Sequence, residues 1–502
     1  MHIFYRNLLL FTLLSIGLSV VVAESVSDGS GRSEIQLELG KLLLEDGRPW
    51  EALIAYDLAK VGAKPDQLVR ASTGMVYALQ SVAEFNRAHK EAVVLGNLRP
   101  DNPDVQVLVA EAHWSAGLFE EADQIYKRII DSYPMNSAAR HGVARSFLGR
   151  NQLEAALREI KVALSGEDVN PDVYHTLGSI YRRKNQYEDA ADAYENYIQS
   201  LPAVNRNRRG QWINSQIDFL RSFDGLVPLE GVSGDNRVHT IPFRVVNDKV
   251  VVRGKINAGS LIDIVIDTGA EQMVLSQGTA ENVGVETITT TISAGVGDVG
   301  VRGLDLGRVD LLEIGSLVVR NVPALIKNPP LSDLPRRRVL DSISPIALGL
   351  STVIDYKNHQ ILLADTLPDE PSNIDIPMRV NRLAVIRGLI NEQHPRAFVV
   401  DTGGEVISLS IGTTHSIGMS PPRHIPLRVY GTSGWDQDAF LLPGVQLDFN
   451  KINYSNFTAV VLNLHRPSAL LGFHIGGIVG HKFLSDYKVT FDLNRALLRL
   501  SS

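Results

Sequence analysis

The segment Ile264-Val265-Ile266-Asp267-Thr268-Gly269-Ala270-Glu271 has a second version later in the chain, Phe398-Val399-Val400-Asp401-Thr402-Gly403-Gly404-Glu405. In both versions three apolar, strand-forming residues precede an Asp-Thr-Gly tripeptide, and a Leu-Ser pair follows shortly after. A single tripeptide of this kind arises by chance in about one chain in ten of this length. An isolated Asp-x-Gly at a strand end usually forms a β-turn in which the carboxylate caps its own backbone. Two copies in the same register instead indicate a duplicated β-unit that carries a site.

The duplication extends to both sides of the tripeptides. Short β-branched runs separated by glycine and polar turns begin at Val238, which is typical of an all-β domain. We expect two copies, 238–368 and 374–502, related by a pseudo-twofold axis that makes Asp267 face Asp401. The matching segments outside the tripeptides are Ile241–Val245 with Ile376–Val380, Arg253-Gly254 with Arg387-Gly388, Ile346–Gly349 with Gly477–Gly480, and Asp355–Lys357 with Asp486–Lys488.

Two aspartates at this position predict a shared proton. Carboxylates held close together do not both ionise easily, so their titration steps separate, as the aspartic protease dyad illustrates. The ionised member can activate a water molecule, and the protonated member can hydrogen-bond a carbonyl oxygen and later protonate the leaving amine. Asp267 and Asp401 are therefore the candidate catalytic residues for peptide hydrolysis without a metal or a covalent intermediate.

The residues that follow each aspartate are expected to support the pair. Thr268 and Thr402 supply short hydroxyl groups that can reach the backbone of the opposite loop. Gly269 and Gly403 allow a tight backbone turn and offer amides to the carboxylates.

At these residues the sequence resembles the aspartic proteases of the retropepsin and pepsin type. The resemblance implies a bilobal acid-protease-like β-barrel domain, an endopeptidase activity on protein or peptide substrates, and no cofactor. It also implies β-hairpin flaps that close over the substrate. The candidate flap residues are Gly295 and Gly297 in the first copy, and Tyr430, Gly431 and Thr432 in the second.

The chain departs from the retroviral pattern in one respect. Retroviral enzymes have an aspartate two residues after the glycine, and this aspartate pairs with an arginine that follows the later glycine motif. Here Glu271 and Glu405 replace the aspartate, and Leu350 and His481 stand in place of the arginine. We therefore expect the ion pair to be missing or rebuilt from other residues.

The sequence between about residues 35 and 205 repeats every 34 residues. The period and the pattern resemble the tetratricopeptide repeat (TPR), in which helix pairs stack into a solenoid. We expect about five repeats with a capping helix over 33–223, followed by a linker over 224–237. TPR grooves bind proteins, so the resemblance implies a protein partner, although a purely structural array remains an alternative. The three clearest columns are Ala83, Gly117, Asn151 and Asn185; Phe85, Phe119, Leu153 and Tyr187; and Ala88, Ala122, Ala156 and Ala190.

Composition excludes several classes of protein. Among 502 residues, 44% are hydrophobic, 21% are charged, the net charge is -7, and cysteine is absent. A disulfide scaffold, a thiol nucleophile and thiolate-bound zinc are therefore excluded, and the acidic balance argues against nucleic acid binding. The histidines show no metalloprotease motif, so no metal site is predicted.

The N-terminus predicts export. Residues 1–23 contain Arg6, a run of apolar residues over 8–22 and Ala23, which is the pattern of a signal peptide. A retained anchor is the alternative, but the run is shorter than the roughly 20 residues that span a bilayer. We expect a periplasmic or secreted protein without a membrane span after cleavage.

These patterns together predict a multidomain protein with an α-solenoid followed by an all-β domain. Its expected function is that of an exported aspartic endopeptidase whose repeats recruit protein substrates or partners. Two alternatives stay open at this point: a catalytically silent peptide-binding protein, and an assembly scaffold in which the repeats do the biological work.

Overall fold

The structure is a computed structural model that describes residues 29–166, 169–201, 203–232, 237–297, 302–327, 341–419, 425–431 and 433–501. The predicted signal segment 1–23 and the flap candidate Thr432 lie outside these residues. The chain divides into two compact units, one ending at Val109 and the other running from Ala110 to Ser502. Among the described residues, no helix combines the length and apolar content needed to cross a membrane.

The described residues from Gly29 to Arg221 form eleven helices. These are α1 (Gly29–Glu45), α2 (Pro49–Lys60), α3 (Pro65–Ser81), α4 (Phe85–Leu98), α5 (Pro103–Ser115), α6 (Phe119–Ser132), α7 (Ser137–Gly149), α8 (Leu153–Leu164), α9 (Asp172–Arg183), α10 (Tyr187–Ser200) and α11 (Ala203–Arg221). Within each unit neighbouring helices pack on each other, as expected of stacked helix pairs: the contacts are α1–α2, α2–α3 and α3–α4 in the first unit, and α6–α7, α7–α8, α8–α9, α9–α10 and α10–α11 in the second.

The repeat columns have a direct structural role. Ala83, Gly117, Asn151 and Asn185 all have φ between 59° and 78°, the left-handed conformation that ends the first helix of each pair. The second helix then begins at the aromatic or leucine column. The alanine column is fully buried, because a larger side chain would separate the two helices of a pair.

The rest of the chain is rich in β-strands. The first copy contains β1 (His239–Pro242), β2 (Arg244–Val246), β3 (Lys249–Ile256), β4 (Ile262–Ile266), β5 (Met273–Ser276), α12 (Gln277–Asn282), β6 (Thr287–Ser293), β7 (Arg302–Ile314), β8 (Leu317–Lys327), β9 (Ser342–Ile343), β10 (Ser351–Asp355) and β11 (Gln360–Ala364). The second copy contains β12 (Ile374–Asn381), β13 (Leu383–Ile390), β14 (His394–Val400), β15 (Ser408–Ser410), α13 (Ile411–Ser416), β16 (Ile425–Pro426), β17 (Val429–Gly431), β18 (Gly434–Asp436), β19 (Phe440–Phe449), β20 (Ile452–Leu462), α14 (His465–Leu471), β21 (Gly477–Val479), α15 (His481–Leu484), β22 (Lys488–Asp492) and β23 (Leu497–Ser501).

One sheet joins the two copies. Among the described strands, one sheet has the order β2-β3-β4-β9-β5-β8-β7-β6 and lies within the first copy. A larger sheet runs β1-β11-β10-β22-β23-β12-β13-β14-β21-β15-β20-β19-β16 and therefore contains strands of both copies. Strand β10 pairs with β22 at the junction, with Thr352 opposite Phe491. A continuous apolar core underlies both sheets.

The internal alignment of the later motifs was wrong. Strand β4 pairs in parallel with β9, with Ile266 opposite Ile343, and β14 pairs in parallel with β21, with Val400 opposite Val479. The counterpart of Gly480 is therefore Ser344, not Gly349. Gly349 lies in a later turn at φ 78°, so the glycine match aligned two different turns.

The match between Asp355 and Asp486 was also wrong. Asp355 accepts a hydrogen bond from the amide of Asn358 in the turn after β10, at 2.9 Å. Asp492 accepts one from the amide of Arg495 in the turn after β22, at 3.0 Å. Asp492 is therefore the structural counterpart of Asp355.

Within the unit that begins at Ala110, the helices pack on the second copy. Arg379 on β12 is buried and bonds Asp123 at 2.6 Å and Glu120 at 3.2 Å, while its guanidinium lies 5.3 Å from the ring centre of Phe119. A side chain at Gly117 would collide with Ala397, so glycine in the repeat turn also permits this contact.

The same helices pack on the first copy through α11. Trp212 Nε1 and Gln216 Nε2 donate to the Thr291 hydroxyl on β6, at 3.1 and 3.3 Å. Tyrosines of α10 and apolar residues of α11 share a buried cluster with Val274 and Leu325. The segment predicted as a linker is also packed in part, because Leu229 and Val232 enter the β-core and Glu230 pairs with Arg320.

Candidate active site

The two candidate aspartates occupy equivalent positions. Asp267 follows β4, and its amide donates to the carbonyl of Ile343 at 2.9 Å; Asp401 follows β14, and its amide donates to the carbonyl of Val479, also at 2.9 Å. The strands fold in this way because both preceding runs are apolar and buried. Each aspartate is thus held at the end of a central strand that is paired on both sides.

Thr268 and Thr402 link the two loops reciprocally. The amide of Thr268 donates to the Thr402 hydroxyl at 3.0 Å, and the amide of Thr402 donates to the Thr268 hydroxyl at 3.1 Å. Each hydroxyl in turn donates to the opposite copy, Thr268 to the carbonyl of Val400 and Thr402 to that of Ile266, both at 2.7 Å. Both threonines are fully buried, so these four hydrogen bonds fix the distance between the loops.

The glycines allow the carboxyl groups to approach each other. The amide of Gly269 donates to Asp267 Oδ1 at 3.0 Å, and the amide of Gly403 donates to Asp401 Oδ1 at 2.8 Å. A Cβ atom at Gly269 would collide with the Asp401 carboxyl, and one at Gly403 would collide with the Asp267 carboxyl. The two carboxyl groups are close enough for the charge of Asp267 to raise the pKa of Asp401.

The pKa of Asp401 is raised to about 7. Burial is the largest cause, although the residue keeps some solvent exposure, and the negative charge of Asp267 is the next. The positive charge of Lys249 and the hydrogen bond from the Gly403 amide lower the pKa, but they do not outweigh the first two causes. Asp401 is therefore protonated in weakly acidic solution.

Lys249 is a residue that the sequence analysis missed. It lies at the start of β3, directly after Asn247 and Asp248, which both adopt positive φ in the hairpin turn. Its ammonium group donates to the carbonyl oxygen of Gly403, in the loop of the other copy. Its counterpart in the second copy is Leu383, so the internal repeat gave no signal for this contact.

The expected ion pair between the acidic residue after Asp-Thr-Gly and an arginine is rebuilt across the two copies. Glu271 accepts a hydrogen bond from Arg382 Nε at 2.7 Å, and Arg382 also donates to the carbonyl of Leu470 at 3.0 Å. Glu405, the counterpart of Glu271, is exposed. The glutamate after the first Asp-Thr-Gly is therefore paired with an arginine of the other copy, whereas the glutamate after the second is exposed.

The described flap candidates belong to two hairpin tips that touch each other. Gly295 and Gly297 follow β6, whereas Tyr430 and Gly431 end β17. Ser433 joins the tips, because its amide donates to the carbonyl of Val296 and its hydroxyl accepts from the amide of Gly295, both at 2.9 Å. Ser433 is not predictable from the sequence, since nothing in the local pattern indicates that the two tips meet.

The arrangement can perform acid–base chemistry. One carboxyl group can hold a proton while its neighbour accepts one, and the threonine hydrogen bonds keep the pair in place. The described residues contain no group of three or more side chains arranged to hold a metal ion.

Comparisons with known proteins match both parts of the chain. Residues 252–337 match the family model described as "gag-polyprotein putative aspartyl protease", and residues 107–170 and 171–200 match two tetratricopeptide repeat models. No curated protein matches the chain in sequence.

Solved structures of tetratricopeptide repeat proteins are similar to part of the chain. A thermophilic TPR protein of Thermus thermophilus is 19% identical over 37% of this chain and 98% of its own, with a TM-score of 0.32. MamA from residue 41 onward, of Desulfovibrio magneticus RS-1, is 18% identical over 35% of this chain and 97% of its own, with a TM-score of 0.27. The chain thus combines a segment similar to gag-type aspartyl proteases with a region of tetratricopeptide repeats.

Proposed function

We propose that this protein is an aspartic endopeptidase with a bilobal acid-protease-like domain, and that Asp267 and Asp401 form its catalytic dyad. The observation that carries the proposal is the close approach of the two aspartate loops, which the reciprocal bonds of Thr268 and Thr402 hold together and in which each carboxyl group lies against the glycine of the opposite loop. A β-turn role for two separate aspartates would not require this contact between the copies.

The proposed mechanism assigns one role to each carboxyl group. Asp401, whose pKa is about 7, carries the shared proton, so Asp267 is the base. Asp267 takes a proton from a water molecule as the water oxygen bonds to the scissile carbonyl carbon, and Asp401 hydrogen-bonds the carbonyl oxygen. When the C–N bond breaks, the leaving nitrogen receives a proton from the dyad, and the shared proton is restored.

We further propose that the protein acts after export and that the repeats bring protein substrates or partners to the β-rich domain. Tethering of this kind raises the local concentration of a substrate near the site without any new contact at the dyad. The two tetratricopeptide repeat matches support a protein-binding role for this region.

Cleavage of an unstructured protein tests the dyad. Between about pH 4 and pH 8 we expect the wild type to cleave, and Asp267→Asn and Asp401→Asn each to lose at least about 100-fold in rate. Asp310→Asn is the matched control, because this aspartate lies on β7 with its side chain 70% exposed. Full activity in either dyad variant would refute the intramolecular dyad. An inactive wild type at every pH would instead favour a peptide-binding protein.

A further inference from the structure

Lys249 places a positive charge on one side of the dyad. It is the first residue of β3 in the first copy, and its ammonium group donates a hydrogen bond to the carbonyl oxygen of Gly403 in the second copy. The amide of Gly403 in turn donates to Asp401 Oδ1 at 2.8 Å. The lysine therefore contacts the same residue that holds the Asp401 carboxyl group.

The other side of the dyad has an apolar side chain at the equivalent position. Strand pairing makes Leu383 the counterpart of Lys249, because β3 pairs with β4 as β13 pairs with β14. Leu383 is buried and cannot donate a hydrogen bond to the loop of Asp267. The two aspartates are thus alike in their backbone and threonine bonds but differ in the charge beside them.

The neighbouring charged groups do not cancel the charge of Lys249. Among the residues that the structure describes, no carboxylate makes an ion pair with its ammonium group, and the preceding Asp248 is exposed to solvent. His481 contacts the loop of Asp401 through its amide, which donates to the carbonyl of Gly404 at 2.8 Å. Burial lowers the pKa of the His481 ring, so this ring is uncharged at neutral pH.

We propose that Lys249 sets the alkaline limit of peptide cleavage by holding a positive charge beside the shared proton of the dyad. The inference rests on the proposed mechanism, which needs this proton to polarise the carbonyl group of the substrate. A nearby positive charge stabilises an ionised carboxyl group, so the dyad gives up its proton at a lower pH than it would without the lysine.

The expected limit lies near neutral pH. Burial and the charge of Asp267 raise the pKa of Asp401 to about 7, although Lys249 lowers it. Cleavage should therefore decline above about pH 7, where the shared proton is lost. Lys249 is thus a positioning residue that restricts cleavage to acidic and neutral conditions.

The pH profile of cleavage by the full chain tests this role. In Lys249→Met we expect the alkaline limit to move up by about one pH unit, so that at pH 8 the variant keeps about fivefold more of its own pH 5 rate than the wild type does. Lys249→Arg keeps the charge and should keep the wild-type limit. Lys255→Met is the matched control, because Lys255 lies on the same strand with an exposed side chain, and it should also keep this limit.

A purely structural role of Lys249 predicts a different profile. If the lysine only anchored the Gly403 loop, Lys249→Met would slow cleavage by the same factor at every pH. That result would overturn the proposal, as would a limit that moves to lower pH or a Lys249→Arg variant that behaves like Lys249→Met.

NMR of the side-chain carboxyl carbons follows the proton without any cleavage. The signal of Asp401, identified by its loss in Asp401→Asn, should titrate near pH 7 in the wild type and about one unit higher in Lys249→Met. A protein that shows this difference but never cleaves would refute the endopeptidase and leave the effect of Lys249 on the shared proton standing. Equal titration in the two proteins would overturn the inference, whether or not cleavage occurs.

Discussion

At the scale of single residues, the environment of Asp401 favours its neutral form. Burial and the adjacent Asp267 carboxyl together raise its pKa to about 7, against the partial compensation of Lys249. The unfolded chain has no such surroundings, so Asp401 ionises near pH 4 when the protein unfolds. Between these two pH values the folded protein holds a proton that the unfolded protein releases.

This difference predicts a pH-dependent stability. The free energy of unfolding should fall as the pH rises from about 4 to about 7, by about 1.4 kcal/mol for each unit of the raised pKa. Residue 401 cannot ionise in Asp401→Asn, so this variant should lack the decline. The stability of the variant relative to the wild type should therefore be greater at pH 8 than at pH 4. Urea unfolding at both pH values measures the effect.

Two further variants control this measurement. Lys249→Met removes a charge that lowers the pKa of Asp401, so the decline should extend to higher pH. Asp310→Asn changes an exposed aspartate, so its free energy of unfolding should decline with rising pH as that of the wild type does. If Asp401→Asn and the wild type changed in parallel with pH, the raised pKa of Asp401 would be contradicted.

Some residues of the candidate site are predictable from the sequence, and others are not, for a physical reason. Asp267 and Asp401 were identifiable because each lies in a contiguous motif and because the motif occurs twice. Lys249 and Arg382 each contact the loop of the other copy. Their counterparts in the internal repeat are Leu383 and Asp248, so the comparison of the two copies does not single them out. Contacts of this type depend on how the two copies meet, which local sequence does not encode.

At the scale of elements, helix α11 holds the strand that leads to the first hairpin tip. Trp212 and Gln216 donate to Thr291 in the middle of β6, and the tip with Gly295 and Gly297 follows directly. The second tip, at Gly431, belongs to a two-stranded hairpin of β17 and β18. We therefore expect the first tip to be the less mobile of the two.

Removal of the Thr291 hydroxyl tests this difference. Thr291→Val keeps the shape of the side chain but leaves the Trp212 and Gln216 donors without their acceptor, which costs about 1–3 kcal/mol locally. We expect hydrogen exchange in 287–297 to become about tenfold faster, and exchange in 434–441, beyond the Ser433 contact, to stay unchanged. Thr290→Val, on the exposed side of the same strand, is the control. Equal exchange in the two variants would contradict a role for α11 in holding this hairpin.

Elements were predictable from sequence where a period repeats, and less so where single glycines were matched. The 34-residue period predicted the helix pairs, because each column serves the same packing function in every repeat. The later glycine motif was misaligned, since Gly349 and Gly480 share only residue type and a rough distance from the aspartates. Strand pairing shows that Ser344 holds the position of Gly480.

At the scale of the molecule, the unit from Ala110 onward joins helices and β-strands in one packed body. Arg379 and Arg387 of the second copy form ion pairs with Glu120 and Glu121 of α6. Burial alone would raise the pKa of Glu120, but the charges of Arg379 and Arg387 outweigh it and lower the pKa. Deletion of the helical array would expose Val274 and its apolar neighbours in the first copy, so the array is also structural support.

Loss of Arg379 should weaken this body markedly. Arg379→Met leaves Asp123 and Glu120 without their buried cation, and we expect a loss on the order of 2 kcal/mol or more in the free energy of unfolding. Arg495→Met is the matched control, because Arg495 pairs with Asp369 while both side chains are exposed. That variant should lose much less stability, because an exposed ion pair contributes little. Equal losses in urea unfolding would show that the contact between α6 and β12 is not a main support.

Asp401 is hydrogen-bonded to Val479, and β22 and β23 lie in the sheet that the two copies share. Both features have a consequence for protein synthesis. A ribosome makes the repeats and the first copy before it adds these late strands, at about 5–20 residues per second. During that interval Asp267 has no opposing carboxyl group. Under the proposed mechanism, a growing chain would therefore lack an assembled dyad until these late strands have emerged.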